Sequence, residues 1–264
     1  MAMKEQLAAN PKGIMIIVHG AMEHSGRYEN LVRQWNESGY TCIYGDLPAH
    51  GETDGVKGHV DSFQEYMDAI IEWVRHATTF GLPIFLLGHS MGGLAVIRVL
   101  EENNVMPIEG VVLSSPCLGL VEPPSKAIKS MAKGLNVLAP KTMVDGSLNP
   151  HHLTRDTQAI RELVNDTLVL KKVSVRWYSE LEKGMRLAFE RMEAYPDIPT
   201  LVMQAGSDKI VDKVQTKKWF DTLNINEKSY KEWANLYHEI FNDPERKDVF
   251  HYAKGFVELH IPNT

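Results

Sequence analysis

Cysteine is scarce in this 264-residue chain: Cys42 and Cys117 are its only two, and each lies in an apolar stretch. They read as buried free thiols of a cytoplasmic protein rather than as a disulfide framework. Positive charge is also short. Lys and Arg total 28 against 34 Asp and Glu, a net charge of −6, which argues against nucleic acid as a partner because that needs a basic face. No apolar run approaches the roughly 20 residues of a membrane span; the longest is residues 14–18. The opening Met1-Ala2-Met3-Lys4-Glu5 lacks the basic-then-apolar order of a signal peptide. Metal and nucleotide signatures are missing too. His151 and His152 are adjacent, so their side chains diverge, and no partner follows at metal-ligand spacing. Gly92-Gly93 lacks the Lys-Ser/Thr of a phosphate loop, and there is no dinucleotide fingerprint. No metal and no cofactor are expected.

What remains is a chain with 44% hydrophobic and 23% charged residues, enough for one large core and too apolar for wholesale disorder. Strand and helix patterns alternate. Residues 14–18 are a β-branched run stopped by His19-Gly20, and a helical pattern carrying Leu31, Val32 and Trp35 runs to Gly39. Strands follow at 41–44, 84–87 and 110–113, with helices at about 62–79, capped by Asp61 or Ser62, and 90–102 between them. Val-, Ile- and Leu-rich strands separated by helices predict an α/β protein with a mostly parallel sheet covered on both faces.

The rhythm then breaks. Residues 117–196 show no convincing strand but two apolar stripes at helical spacing, Ile128/Met131/Leu135/Leu138 and Leu170/Val173/Trp177/Leu181/Met185. This predicts a helical insertion after the fourth recognisable strand, dividing a core of 1–116 and 197–264. Strand patterns resume at 200–203 and 228–233, and a closing helix spans about 242–259. The first stripe, with Met131, Met143, Met185 and Met192, suits either an acyl tunnel or the packing of the insertion onto the core.

The chemistry sits at Gly88-His89-Ser90-Met91-Gly92, a Gly-x-Ser-x-Gly between a strand and a helix. A serine on so sharp a turn is held in a strained conformation with its Oγ exposed, and the glycines on either side remove side chains that would collide. Such a serine needs a base, and the base an orienting acid, in the chain order Ser, acid, His. Asp208 follows the strand at 200–203 and His238 follows the strand at 228–233. Asp212 is the rival acid, although a helix should begin beside it. Glu239 reads as a helix-terminus charge, and His19 as a brace for its loop. The oxyanion hole is expected from the backbone N–H groups of Met91 and Ala21.

Beyond this pentapeptide, His19-Gly20-Ala21-Met22-Glu23-His24-Ser25-Gly26-Arg27-Tyr28, Gly45-Asp46-Leu47-Pro48-Ala49-His50-Gly51, Ser114-Ser115-Pro116, residues 205–212 and His238-Glu239 resemble α/β-hydrolases of the monoacylglycerol lipase and lysophospholipase group. The resemblance implies the triad Ser90, Asp208 and His238, the oxyanion donors Ala21 and Met91, and a helical cap over the site. Met22 and Ala49 stand where the group often has glycine, and Met22 is placed to narrow the acyl pocket. The short lead into the first strand leaves little room for the group's opening β-hairpin, so six or seven strands are expected. The implied activity is hydrolysis of lipid carboxylic esters, with monoacylglycerols or lysophospholipids as substrates and peripheral membrane contact through the cap. A carboxylesterase or thioesterase of small acyl esters, an aminopeptidase and a non-catalytic binding protein are the alternatives; acids in the insertion (Glu122, Glu162, Glu180) would suit the peptidase by holding a substrate amine.

Overall fold

The computed structural model describes residues 3–103 and 105–262. Among these, seven strands form one sheet in the order β1-β3-β2-β4-β5-β8-β9: β1 (Met3–Gln6), β2 (Gly13–Val18), β3 (Tyr40–Gly45), β4 (Ile84–His89), β5 (Gly110–Ser114), β8 (Thr200–Ala205) and β9 (Lys228–Trp233). All neighbours pair in parallel except β1, which runs antiparallel to β3 with Met3 opposite Gly45. The four central strands are buried along their whole length, which is why they read as continuous apolar runs. Alternate residues of β2 feed different cores. Ile14, Ile16 and Val18 join α2 (Gln64–Thr78), α3 (Met91–Glu102) and Trp219 of α8 (Lys213–Thr222), while Met15 and Ile17 join α1 (Glu29–Glu37) and α9 (Arg246–Leu259). The start of α2 is capped from outside: the Ser62 hydroxyl accepts from Gln64 N–H, and Glu65 accepts from Asp61 and Ser62 N–H.

The strand count meets expectation, but two elements were not read from the sequence. One is β1, a polar four-residue edge strand that pairs with β3 far along the chain, from Gln6 opposite Cys42 to Met3 opposite Gly45; the insertion therefore follows the fifth strand of the chain. The other is a two-stranded antiparallel sheet inside the supposedly strandless segment, β6 (Met143–Asp145) with β7 (Lys172–Ser174). Leu170 and Val173 accordingly precede α7 (Val175–Glu190) instead of opening it. The insertion also holds α4 (Lys126–Leu138), α5 (Pro150–Leu153) and α6 (Thr157–Asn165). Strands of three residues carry too little alternation to stand out from helical spacing.

The chain turns back at β2: β3 lies on one side of it and β4 on the other, so the loops after β2 and β4 diverge and leave a crevice at the carboxyl ends of the strands. Close packing there leaves no space for side chains. A Cβ on Gly92 would lie 2.4 Å from the carbonyl oxygens of Val18 and His19, and one on Gly88 would lie 2.8 Å from Gly92 O. The obstructing atoms are main-chain atoms at the end of β2 and in α3 and cannot retreat. Gly92→Ala is therefore expected to destabilise the protein by at least about 2 kcal/mol in urea unfolding; an unchanged midpoint would refute this packing account.

Candidate active site

Ser90 closes the turn between β4 and α3 with φ 52° and ψ −119°, a left-handed conformation unusual for a residue with a side chain. The turn is held from two sides: Ser90 N–H donates to Ser114 O (2.9 Å), and Cys117 N–H donates to Ser90 O (3.0 Å). His238, in the loop after β9, places Nε2 2.9 Å from Ser90 Oγ and Nδ1 2.8 Å from Asp208 Oδ2. Asp208, in the loop after β8, is fixed in turn. Its Oδ1 accepts from the Ile210 and Val211 N–H groups (2.9 Å each), and its Oδ2 from Gln204 Nε2 (3.1 Å). An ionised Asp208 accepts the Nδ1–H, which leaves Nε2 free to take the serine proton.

Burial pulls the His238 imidazole down, but the Asp208 carboxylate and its hydrogen bond outweigh this and lift it above its ordinary value. Burial alone would raise Asp208; His238 and the two backbone N–H groups hold it below the usual carboxylate range. His89, whose ring lies 4.8 Å from that of His238, is pushed down to about 3 by burial and by that neighbour. It therefore stays neutral at physiological pH and faces Ser114, with Nδ1 3.1 Å from the carbonyl oxygen.

A family model described as Hydrolase_4, serine aminopeptidase S33, matches residues 9–245. The chain belongs to this family. It is 48% identical over 254 residues to phospholipase YtpA of Bacillus subtilis, spanning 96% of this chain and 98% of that protein. Identity to a monoacylglycerol lipase of Mycolicibacterium smegmatis is 25% over 254 residues, 96% of this chain and 90% of that one. Among solved structures, the monoacylglycerol lipase of Paleococcus ferrophilus matches with a TM-score of 0.87 at 32% identity, covering 99% of both chains. A soluble variant of the Saccharomyces cerevisiae monoglyceride lipase matches at 0.88 with 20% identity, covering 99% of this chain and 92% of that one, a likeness of fold.

As in an α/β-hydrolase, the site opens into a cavity, here of about 750 Å³. Core residues Ala21, Met22, Ser90 and His238 line it together with Ile128, Leu148, Leu163, Leu170 and Val173 from the insertion. Met22 sits at φ 65° and Ala49 at φ 63°, the left-handed region where glycine carries no steric penalty and other residues do. The Met22 carbonyl accepts from Leu170 N–H (2.8 Å), so this loop supports the insertion. Gly20 N–H is already committed to Glu23 Oε1 (2.6 Å); the next N–H along the loop is that of Ala21. His19 braces the loop. Its Nε2 accepts from Leu47 N–H (2.9 Å), so the proton sits on Nδ1 and is donated to Gly20 O (2.8 Å).

Several expectations do not survive. Met131, Leu135 and Leu138 do not line the cavity: Met131 is 75% exposed and Leu138 86%, because α4 turns that face to solvent. Neither do Met143, Met185 and Met192 line it; Met185 Sδ instead lies 3.8 Å from the thiol of Cys117, which does. Ile128 is the member of the first stripe that reaches the cavity. Asp212 caps α8, its Oδ1 accepting from Val214 N–H (2.9 Å). Glu239 does stand at a helix terminus, the start of the 3-10 turn Ile240–Asn242, but not as a mere terminal charge. It is buried, and its Oε2 accepts from Arg27 Nη2 (2.5 Å).

That ion pair belongs to a polar end of the cavity that sequence reasoning missed. Glu23, Arg27, Asp166 and Glu239 all line it. Glu23 accepts from Gly20 N–H and from the Tyr28 hydroxyl (2.7 Å); burial opposes its charge, but Arg27 leads the charges and hydrogen bond that hold it at about 2. Burial, reinforced by Glu23, instead raises Glu239 against the pull of Arg27. Asp166 pairs with His24 Nε2 at 2.7 Å. The i,i+4 spacing of Glu23 and Arg27 was visible, but their partners lie far along the chain, 212 residues from Arg27 in the case of Glu239.

A base must be neutral to accept the serine proton, so activity is lost as pH falls through the His238 pKa. Because that value is raised, the acidic limb of kcat/KM should lie above about 6.5. Asp208→Asn removes the group that raises it. The limb should move to lower pH, and kcat should fall by about 10⁴; a limb unmoved in the variant would sink the assigned coupling.

Proposed function

We propose that this protein is a serine hydrolase of lipid carboxylic esters, acting on monoacylglycerols or lysophospholipids. The observation that carries the proposal is the Asp208–His238–Ser90 hydrogen-bond chain ending in a large cavity with a mostly apolar lining. Its volume falls within the ~300–1,000 Å³ of pockets that enclose small ligands. Ser90 Oγ attacks the ester carbonyl while His238 Nε2 takes its proton. The N–H groups of Ala21 and Met91 receive the oxyanion, aided by the N-terminus of α3. His238 then protonates the leaving alcohol, and water repeats the attack on the acyl-enzyme through the same histidine. Met22, Ile128 and Leu170 flank the acyl chain, and the polar end at Glu23 and Arg27 suits a hydroxylated leaving group. Residues 117–196 serve as the cap over a core of 1–116 and 197–264.

The aminopeptidase reading asks for an acid free to hold a substrate amine. Of the insertion's acids, Asp166 is paired with His24 and Glu182 with Lys129. Glu180 accepts from Phe63 N–H, and Glu162 from the Gln158 side chain on α6. These commitments leave Glu122, which lines the cavity, as the one of the three acids named for the peptidase that is placed to meet a substrate.

The partner surface is α4. Among the described residues no helix is long and apolar enough to cross a membrane, yet α4 is turned inside out. Its polar side faces α7 through Lys129–Glu182 (2.5 Å) and Asn136–Ser179 (3.3 Å), while Met131, Val137 and Leu138 face outward. An apolar helix face left to water suits the lipid surface from which such substrates are drawn.

Two measurements test the reading. Ser90→Ala should lower ester turnover by about 10⁴ or more and abolish fluorophosphonate labelling while the fold persists; residual labelling at wild-type rate would end the assignment. A panel of monoacylglycerols, lysophospholipids, short esters and an aminoacyl anilide separates the substrate classes, the peptidase predicting turnover of the anilide. For the membrane surface, Met131→Asp with Leu138→Asp should reduce flotation with phosphatidylcholine vesicles at least about tenfold, since each apolar side chain buried in lipid contributes roughly 1.5–3 kcal/mol. Turnover of a short soluble ester should stay unchanged. Equal flotation of variant and wild type would remove α4 from the account.

A further inference from the structure

Asp243 stands outside the triad, does not line the cavity, and is nevertheless completely buried. It follows the short 3-10 turn Ile240–Asn242 and precedes α9. Four donors converge on its carboxylate. Oδ1 lies 2.8 Å from the Thr154 hydroxyl and 2.7 Å from Arg155 N–H; Oδ2 lies 3.1 Å from Arg155 Nε and 2.9 Å from Tyr237 N–H. Two of these donors are backbone groups from segments more than 80 residues apart: Tyr237, immediately before His238, and Arg155, in the insertion between α5 and α6. On the other side of the histidine, Glu239 N–H donates to Leu153 O (2.8 Å). The residues before and after His238 are thus both held, directly or through Asp243, by residues 153–155. Arg155 also pairs with Glu245, and Arg246 with Asp156 (2.7 Å), so charges of both signs surround the junction.

We propose that Asp243 is a positioning residue for His238, acting through the Tyr237 N–H and tying the histidine loop to the insertion at Thr154 and Arg155. The proposal rests on His238 being the general base. A carboxylate is required because it alone offers acceptor capacity to all four donors; an amide in its place turns an N–H₂ toward two of them. The His238 ring must reach Asp208 on one side and Ser90 on the other at hydrogen-bond distance, and a displacement of about 1 Å is enough to lose much of the rate. The same carboxylate makes the geometry of the base depend on where the insertion sits. Movement of residues 153–155 away from the core would release the loop that carries the base.

The test is Asp243→Asn, assayed on a short soluble ester with rates normalised by fluorophosphonate active-site titration. Expected are a fall in kcat of about tenfold or more with KM held within about twofold, and an acidic limb displaced to lower pH, because a loosened His238 loses the Asp208 contact that raises it. Arg155→Ala keeps the Tyr237 and Thr154 donors; it should lower Tm but leave the limb in place, the pattern of a merely structural contact. Wild-type kcat per titrated site with an unmoved limb in Asp243→Asn overturns the proposal. If that variant does not fold, Asp243→Glu, which keeps the charge but adds a methylene, is judged by the same two outcomes. Ser90→Ala is run in parallel. An inactive Ser90→Ala beside an unaffected Asp243→Asn refutes only the positioning role, whereas an active Ser90→Ala refutes the serine mechanism itself.

Discussion

The turn from β4 into α3 can close only because positions 88 and 92 carry no side chain. Gly92 lies so near the end of β2 that its hydrogen stands where a Cβ would strike two carbonyl oxygens. This approach pulls the helix N-terminus against the strand ends, forces Ser90 into its left-handed conformation, and aims its hydroxyl at the crevice where the sheet reverses direction. The rest of the site is arranged around that fixed point: the loop after β2 brings Ala21, the loop after β8 brings Asp208, and the loop after β9 brings His238. A strained serine can be maintained because buried strands flank it on both sides and the main chain is anchored at Ser114 and Cys117.

Electrostatics then divides the crevice. The buried histidines around it divide between two states. His238 is lifted by Asp208, whereas His19, His50 and His89 are driven down by burial and stay neutral. A neutral imidazole has one donor and one acceptor nitrogen, which is what His19 needs to join Leu47 N–H to Gly20 O. Glu23, Arg27 and Glu239 place two carboxylates around one guanidinium, a balance that leaves Glu23 ionised and raises Glu239. The outcome is a mostly apolar cavity that holds a charged, hydrogen-bonded cluster of Glu23, Arg27 and Glu239.

The insertion is joined to the core by the apolar packing of Val173, Trp177, Leu181 and Ala188 and, around the site, by polar contacts: Met22 with Leu170, His24 with Asp166, Gly58 with Ser174, and Asp243 with Thr154 and Arg155. Its outermost helix, α4, has the polarity of a helix packed the wrong way round. An apolar face of this kind left to water is a liability unless something covers it, and it is the observation behind the proposed lipid contact. The amphipathic stripe of α4 was legible from spacing alone, but spacing says only that one face is apolar and not what that face meets.

The local chain by itself determined the parallel core, the strand–Gly-x-Ser-x-Gly–helix turn, and the order in which serine, acid and histidine arrive. These are properties of neighbours in sequence: β-branched runs, glycines at a two-residue offset, and an acid or a histidine directly after a strand. Tertiary structure decided the rest. It alone separated Asp208 from Asp212, since one meets His238 and the other caps a helix. It moved Met131 and Leu138 from the expected acyl wall to the surface, and it joined Arg27 to Glu239 and Asp243 to Arg155. Each of these outcomes depends on which remote backbone or charge a side chain meets after folding. A 3.6-residue period or a four-residue spacing carries no record of that.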